Sequence, residues 1–297
     1  MGLVFLGEDY SAGLDDASFV ISPFPYDATA SYGTGARFAP VRILEASTQL
    51  ELFDEELEAC PYKAGIHTLE IPEVPIEPDK ARRLLRGITR NILLGKKIPI
   101  FLGGDHSISI GIIEAVTDIF KDITVLHLDA HTDMRNQYQG TPLSHACIAR
   151  RASELCRVVQ AGIRSSSETE WKHLKKMGNL PVTAYRIKKD IGAGTREILE
   201  RITSKKVYVT VDVDCLDPSI MPATGTPEPG GLDWFELLYI LKQVTKQHKV
   251  VGFDVVELSP VPGLHFPEFT CARLIYKMIG YMEAFKEQDK TVKNRRF

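Results

Sequence analysis

The chain has 297 residues, 44% of them hydrophobic and 25% charged, and a formal net charge of −3. That composition suits a globular protein with ample apolar material for a core, and it supplies no bulk basic field to hold nucleic acid or an anionic membrane surface. No run of about 18 apolar residues occurs, so no membrane span is expected.

The start, Met-Gly-Leu-Val-Phe-Leu, has no basic region and no cleavage site, and the five cysteines are scattered, never in Cys-x-x-Cys spacing. Both features predict a cytoplasmic protein with reduced thiols. In chain order, strand patterns fall at Phe19–Ile21, Ile98–Leu102, Ile123–Leu128, Arg157–Ala161, Val207–Val213 and Val250–Val256. Helical patterns cover 37–57, 79–95, 107–118, 168–177, 194–203, 233–247 and 268–286. Strands separated by helices are βαβ units, so the expected fold is α/β with a central, mostly parallel sheet buried on both faces. Nothing divides the chain, and 1–297 reads as a single domain. The Pro-rich stretch 71–78 reads as a surface connection, and the basic Lys290–Phe297 as a solvated tail. The loop 215–232 is too long for an ordinary strand-to-helix turn and is a candidate functional segment.

Four polar clusters stand at the C-terminal ends of strand patterns, the edge where open parallel sheets bind ligands. The strongest is Asp129-Ala-His131-Thr-Asp133, after an apolar strand. A period of two would project all three polar side chains to one side, where two carboxylates and an imidazole call for a cation. Val207–Val213 leads to Asp212 and Asp214 in the same way, and burying two carboxylates there is costly without a cation, an arginine or a helix N-terminus. In Gly103-Gly-Asp105-His106-Ser107 the two glycines would let backbone pass close to a ligand; His106 is a candidate nitrogen donor and Asp105 a candidate helix cap. In the fourth cluster, Glu257 is placed to hold a cationic substrate, and Asp254, on the opposite face, to make a structural ion pair. Two divalent cations would balance Asp129, Asp133, Asp212 and Asp214; a bridging hydroxide and Glu257 then leave the pocket negative, suited to a positive head group. Oxygen-rich ligands with one imidazole per ion and no sulfur favour Mn²⁺ over structural zinc.

With these motifs, together with Ser144-His-Ala-Cys147, Asp212-Val-Asp-Cys-Leu-Asp-Pro218, Gly225-Thr-Pro-Glu-Pro-Gly-Gly231 and Gly252-Phe-Asp-Val-Val-Glu257, the chain resembles the ureohydrolases, the arginase and agmatinase family, over nearly its whole length. The resemblance implies a three-layer α/β/α arginase-like fold and two Mn²⁺ per subunit. One ion would be held by His106, Asp129, Asp133 and Asp212, the other by Asp129, His131, Asp212 and Asp214. A hydroxide between them would attack a guanidinium carbon, with Asp133 orienting it, Glu257 anchoring the guanidinium and His145 shuttling protons. From the residues alone, His145 reads more readily as structural. Asp217, beside Pro218, is expected to shape the loop. The family also implies a homo-oligomer, a trimer or hexamer.

The segment Met134–His145 lacks the arginase version of the loop that binds an amino acid's α-groups, and Ser-His-Ala-Cys is similar to the prokaryotic agmatinase form. The implied reaction is hydrolysis of agmatine to putrescine and urea. Guanidinobutyrate, aminopropylagmatine and arginine are the alternative substrates. Arg135 could bind a carboxylate or make a surface or interfacial ion pair. A zinc-dependent deacetylase-like relative would leave His106, Asp133 and Asp214 without purpose, and a non-catalytic relative would have lost ligands. Gly33-Thr-Gly35 lacks the third glycine of a dinucleotide loop and reads as backbone beside the substrate pocket.

Overall fold

The computed structural model describes residues 3–286, so the basic segment Lys290–Phe297 lies outside the described residues. Its strands are β1 (Phe19–Pro23), β2 (Ile66–Thr68), β3 (Ile98–Leu102), β4 (Ile123–Leu128), β5 (Arg157–Ile163), β6 (Val182–Thr183), β7 (Lys206–Asp212) and β8 (Lys249–Val256). The helices are α1 (Ala39–Ser47), α2 (Pro78–Leu94), α3 (Ile108–Ile119), α4 (Ile148–Ser153), α5 (Glu168–Lys176), α6 (Ala184–Lys189), α7 (Ile191–Arg201), α8 (Trp234–Gln247) and α9 (Phe266–Lys286).

The strands form one sheet in the order β2-β1-β3-β8-β7-β4-β5-β6, and every neighbouring pair is parallel. Side-chain alternation divides the core in two. Val207, Val209 and Val211 of β7 pack with Ile43, Leu241 and Ile275 from α1, α8 and α9. Tyr208 turns the other way, toward Leu85 of α2, Ile112 of α3 and Ile148 of α4. Fully burying each such aliphatic side chain stabilises the fold by about 1.5–3 kcal/mol. The result is a three-layer α/β/α architecture. No helix among the described residues is long and apolar enough to cross a membrane.

Three differences from the sequence reading have physical causes. The pattern 37–57 yields a helix only over Ala39–Ser47, and the rest of it includes a separate turn at Asp54. That fully buried carboxylate accepts the Glu56 and Leu57 N–H groups and pairs with Lys277 of α9 at 2.9 Å. The strands β2 and β6 and the helices α4 and α6 are too short to carry a period. Helix α7 starts at Ile191 rather than 194, because Asp190 caps it by accepting the Ala193 N–H.

In register, Leu102, Val255, Val211 and Leu128 stand side by side across β3, β8, β7 and β4. The four polar clusters therefore leave the sheet from four adjacent strands.

Candidate metal centre

All six side chains singled out as cation ligands meet beyond these strand ends. His106 Nδ1 lies 3.1 Å from Asp129 Oδ2, 3.2 Å from Asp212 Oδ2 and 3.5 Å from Asp133 Oδ2. His131 Nδ1 lies 2.9 Å from Asp214 Oδ2 and 3.6 Å from Asp129 Oδ1. Asp129 thus faces both groups.

Strand alternation is not what aligns them. β4 ends at Leu128, and Asp129–Asp133 follow a loop in which Asp133 adopts a left-handed conformation (φ 47°). Asp214 sits on a 3-10 turn after β7, and its N–H is accepted by Asp212 Oδ1 at 2.9 Å. Glu257 is also left-handed (φ 64°). Such backbones are uncommon outside glycine and cluster at functional sites. The glycines beside His106 serve protein packing instead of a ligand: a Cβ on Gly104 would stand 1.5 Å from the Tyr26 carbonyl oxygen. Asp105 is no helix cap; it accepts the Thr29 N–H and hydroxyl and the Ser107 N–H, tying the 26–31 loop to the site.

Burial raises the Asp133 and Asp212 carboxyls well above the usual range, reinforced in both by Asp129 and Asp214. Burial also lowers the imidazoles of His106 and His131, but the aspartates beside them outweigh it; His106 ends well above its ordinary value and His131 at about 12. Protons here stand in for missing positive charge. His106 Nδ1 and Asp129 Oδ2 are fully buried without a hydrogen-bond partner. Orphaned donor atoms converging on one spot, in an oxygen-rich set with imidazole and no sulfur, fit two hard divalent ions.

A cavity of about 370 Å³ opens beside the cluster and is lined by Asp133, Glu257, His145, Arg135 and Gly33. Glu257 accepts the His106 N–H at 2.6 Å, and burial, with Asp105 adding to it, raises its carboxyl to about 8. His145 is anchored by its N–H to Thr29 Oγ1 (3.0 Å) and meets Tyr138 edge-on. Burial lowers its pKa, which keeps the ring neutral. Arg135 pairs with Glu170 at 3.9 Å and lies over the Tyr138 ring.

The loop after β7 is fixed from two sides. Asp217 accepts the N–H groups of Ser219, Gly230 and Gly231, so it shapes the loop as the sequence suggested. Arg164 donates to the carbonyls of Asp214, Leu216, Glu228 and Pro229.

Four residues around the centre escaped the sequence reading or were misread. Among the described residues Asp254 has no ion-pair partner; it accepts the hydroxyls of Tyr208, Thr210 and Ser109. Thr210 Oγ1 touches His106 Nε2 at 2.8 Å, and His127 Nε2 lies 3.0 Å from Asp129 Oδ2 with Gln160 behind it. The available signal was a polar residue two positions before a ligand in an otherwise apolar strand.

Residues 17–280 match the model of the Arginase family. The chain is 39% identical over 282 residues to the N(1)-aminopropylagmatine ureohydrolase of Thermus thermophilus, covering 94% of each. It is 36% identical over 250 residues to the agmatinase of Halalkalibacterium halodurans, covering 81% of this chain and 83% of that one. The agmatine ureohydrolase of Thermoplasma volcanium superposes with a TM-score of 0.87 at 31% identity, over 94% of both chains.

Proposed function

Because this chain belongs to the arginase family, we propose that it hydrolyses a guanidino amine to urea and the corresponding amine, with agmatine going to putrescine as the leading case. The observation that carries this is the convergence of His106, Asp129, His131, Asp133, Asp212 and Asp214 beside a cavity that Glu257 also lines.

His106, Asp129, Asp133 and Asp212 would hold one Mn²⁺, and Asp129, His131, Asp212 and Asp214 the second. Bound ions supply Lewis acidity and make water nucleophilic at neutral pH. The chain's own groups do the rest. Glu257, turned into the cavity by its left-handed backbone, binds and orients the guanidinium. Asp133 accepts a hydrogen bond from the attacking water and holds its proton. His145, neutral and facing the cavity, passes a proton to the departing amine nitrogen. The negative cluster favours a cationic head group.

Arg135 lines the cavity but is committed to Glu170 and Tyr138, which supports an amine tail over the carboxylate of guanidinobutyrate or arginine. An N-aminopropyl agmatine is the second reading, supported by the Thermus relative and by a cavity of about 370 Å³. A place in polyamine formation, a cytoplasmic location and a homo-oligomer of three or six subunits belong to the same proposal. Urea release after Mn²⁺ loading, compared across agmatine, aminopropylagmatine, guanidinobutyrate and arginine at matched concentration, tests it. Arginine as the best substrate would overturn the agmatinase assignment.

A further inference from the structure

A row of four polar side chains crosses the sheet two residues before the ligand-bearing ends of β4 and β7. Gln160 on β5, His127 on β4, Thr210 on β7 and Asp254 on β8 are successive register partners. Alternation turns the row toward the α2–α3–α4 face, where Val158, Val125 and Tyr208, two residues before Gln160, His127 and Thr210, are apolar core. All four are buried, so each needs a partner.

The hydrogen bonds in this row have directions. Thr210 has one hydroxyl proton and gives it to the Asp254 carboxylate at 2.5 Å, so toward His106 Nε2 its oxygen accepts. His106 Nε2 therefore carries a proton, so Nδ1, facing Asp129, Asp133 and Asp212, is the nitrogen an ion would take once it displaces the proton there. On the other side, the Thr132 carbonyl, 2.7 Å from the Gln160 amide, can only accept, which identifies that amide atom as nitrogen. The same nitrogen stands 3.1 Å from His127 Nδ1, which must accept. The His127 proton is thus on Nε2, 3.0 Å from Asp129 Oδ2; neither atom completes a hydrogen bond, and His106 Nδ1 lies 3.1 Å from the same oxygen. The two imidazole rings stack at 5.0 Å and 20°.

We propose that this row is a positioning layer for the metal centre: Asp254 and Thr210 fix His106 as an Nδ1 ligand, while Gln160 and His127 present a proton to Asp129. His127 belongs to the cluster without being a ligand. The proposal rests on the six side chains above being Mn²⁺ ligands.

Calorimetric Mn²⁺ titration of the ion-free full chain, with thermal unfolding to establish that each variant folds, separates the two ideas. Thr210→Val keeps the shape and removes the hydroxyl, and Thr210→Ser returns it. His127→Phe keeps the ring, and His127→Gln returns an N–H donor. Thr210→Val and His127→Phe are expected to weaken Mn²⁺ binding about 10- to 100-fold, and Thr210→Ser and His127→Gln to recover to within about threefold of wild type. Wild-type affinity in Thr210→Val and His127→Phe would overturn the layer. So would Thr210→Ser and His127→Gln variants as weak as those two, since the loss would then be one of packing. A wild-type chain that binds no Mn²⁺ would overturn the functional reading as well.

Discussion

Arg135 reaches toward Glu170, its Nε 3.9 Å from Glu170 Oε2, while Glu170 also accepts the Met134 N–H at 2.9 Å and the Thr132 hydroxyl at 3.1 Å. This arginine, which lines the cavity, is thereby tied to a carboxylate that holds the loop carrying Asp133. Half-exposed pairs of this kind contribute about 1 kcal/mol or less. Arg135→Ala should therefore leave kcat/KM for agmatine within about threefold of wild type and Tm nearly unchanged. Steady-state urea assays check this; a loss of about tenfold or more on agmatine would show that Arg135 contacts the substrate.

Asp129 faces both ligand groups, so Asp129→Asn should reduce bound manganese and turnover together. A fall in kcat of about 100-fold, some 2.7 kcal/mol of barrier, is expected. Elemental analysis beside kinetics decides it, and full manganese with full activity would remove Asp129 from the bridging role.

Manganese uptake should release protons. Burial and neighbouring aspartates hold the Asp133 and Asp212 carboxyls high without cations, and the ions would displace those protons. Calorimetry in buffers of different ionisation enthalpy should report net release. Binding without proton release would contradict this account.

The same shifts fix the sign of an effect on stability. A carboxyl whose folded pKa is raised stabilises the ion-free fold on the acid side, and that contribution is lost as pH rises through the folded pKa. The imidazoles of His106 and His131, also raised, act in the same direction. Chelation should thus lower Tm, and by more at about pH 8.5 than at about pH 6.5, with the loaded protein gaining ~2.7 kcal/mol at a hundredfold excess over Kd. Thermal melts with and without chelator give the comparison, and an equal drop at both pH values would count against it.

Arg164 holds five backbone carbonyls of the loop after β7, those of Asp214, Cys215, Leu216, Glu228 and Pro229, with one guanidinium. A lysine ammonium cannot span them. Arg164→Lys should cost about 2 kcal/mol, roughly 4 °C in Tm, and lower kcat/KM by loosening Asp214. Wild-type melting and kinetics in that variant would make the clamp dispensable.

The six strands with a clear period were legible in the sequence, and so was the set of side chains that converge, because charge at the end of an apolar run is locally visible. What stayed hidden depends on distant partners. Asp54 can be fully buried within a helical pattern because Lys277, far along the chain, pairs with it. Thr210 reads as an ordinary strand former until register sets it between His106 and Asp254. Asp254 itself was visible as a buried acid but was assigned the wrong kind of partner, since hydroxyls contributed by other elements leave no trace nearby in the chain. The left-handed turns at Asp133 and Glu257 likewise run against the local preference of both residues.

The last strand of the chain, β8, inserts between β3 and β7 at the middle of the sheet. It supplies the sheet pairing between the half carrying His106 and the half carrying Asp129, His131, Asp133, Asp212 and Asp214. A polypeptide ending before Lys249 would carry all six candidate ligand side chains and yet lack the strand that joins β3 to β7. The candidate site is therefore expected to assemble only once that strand is in place.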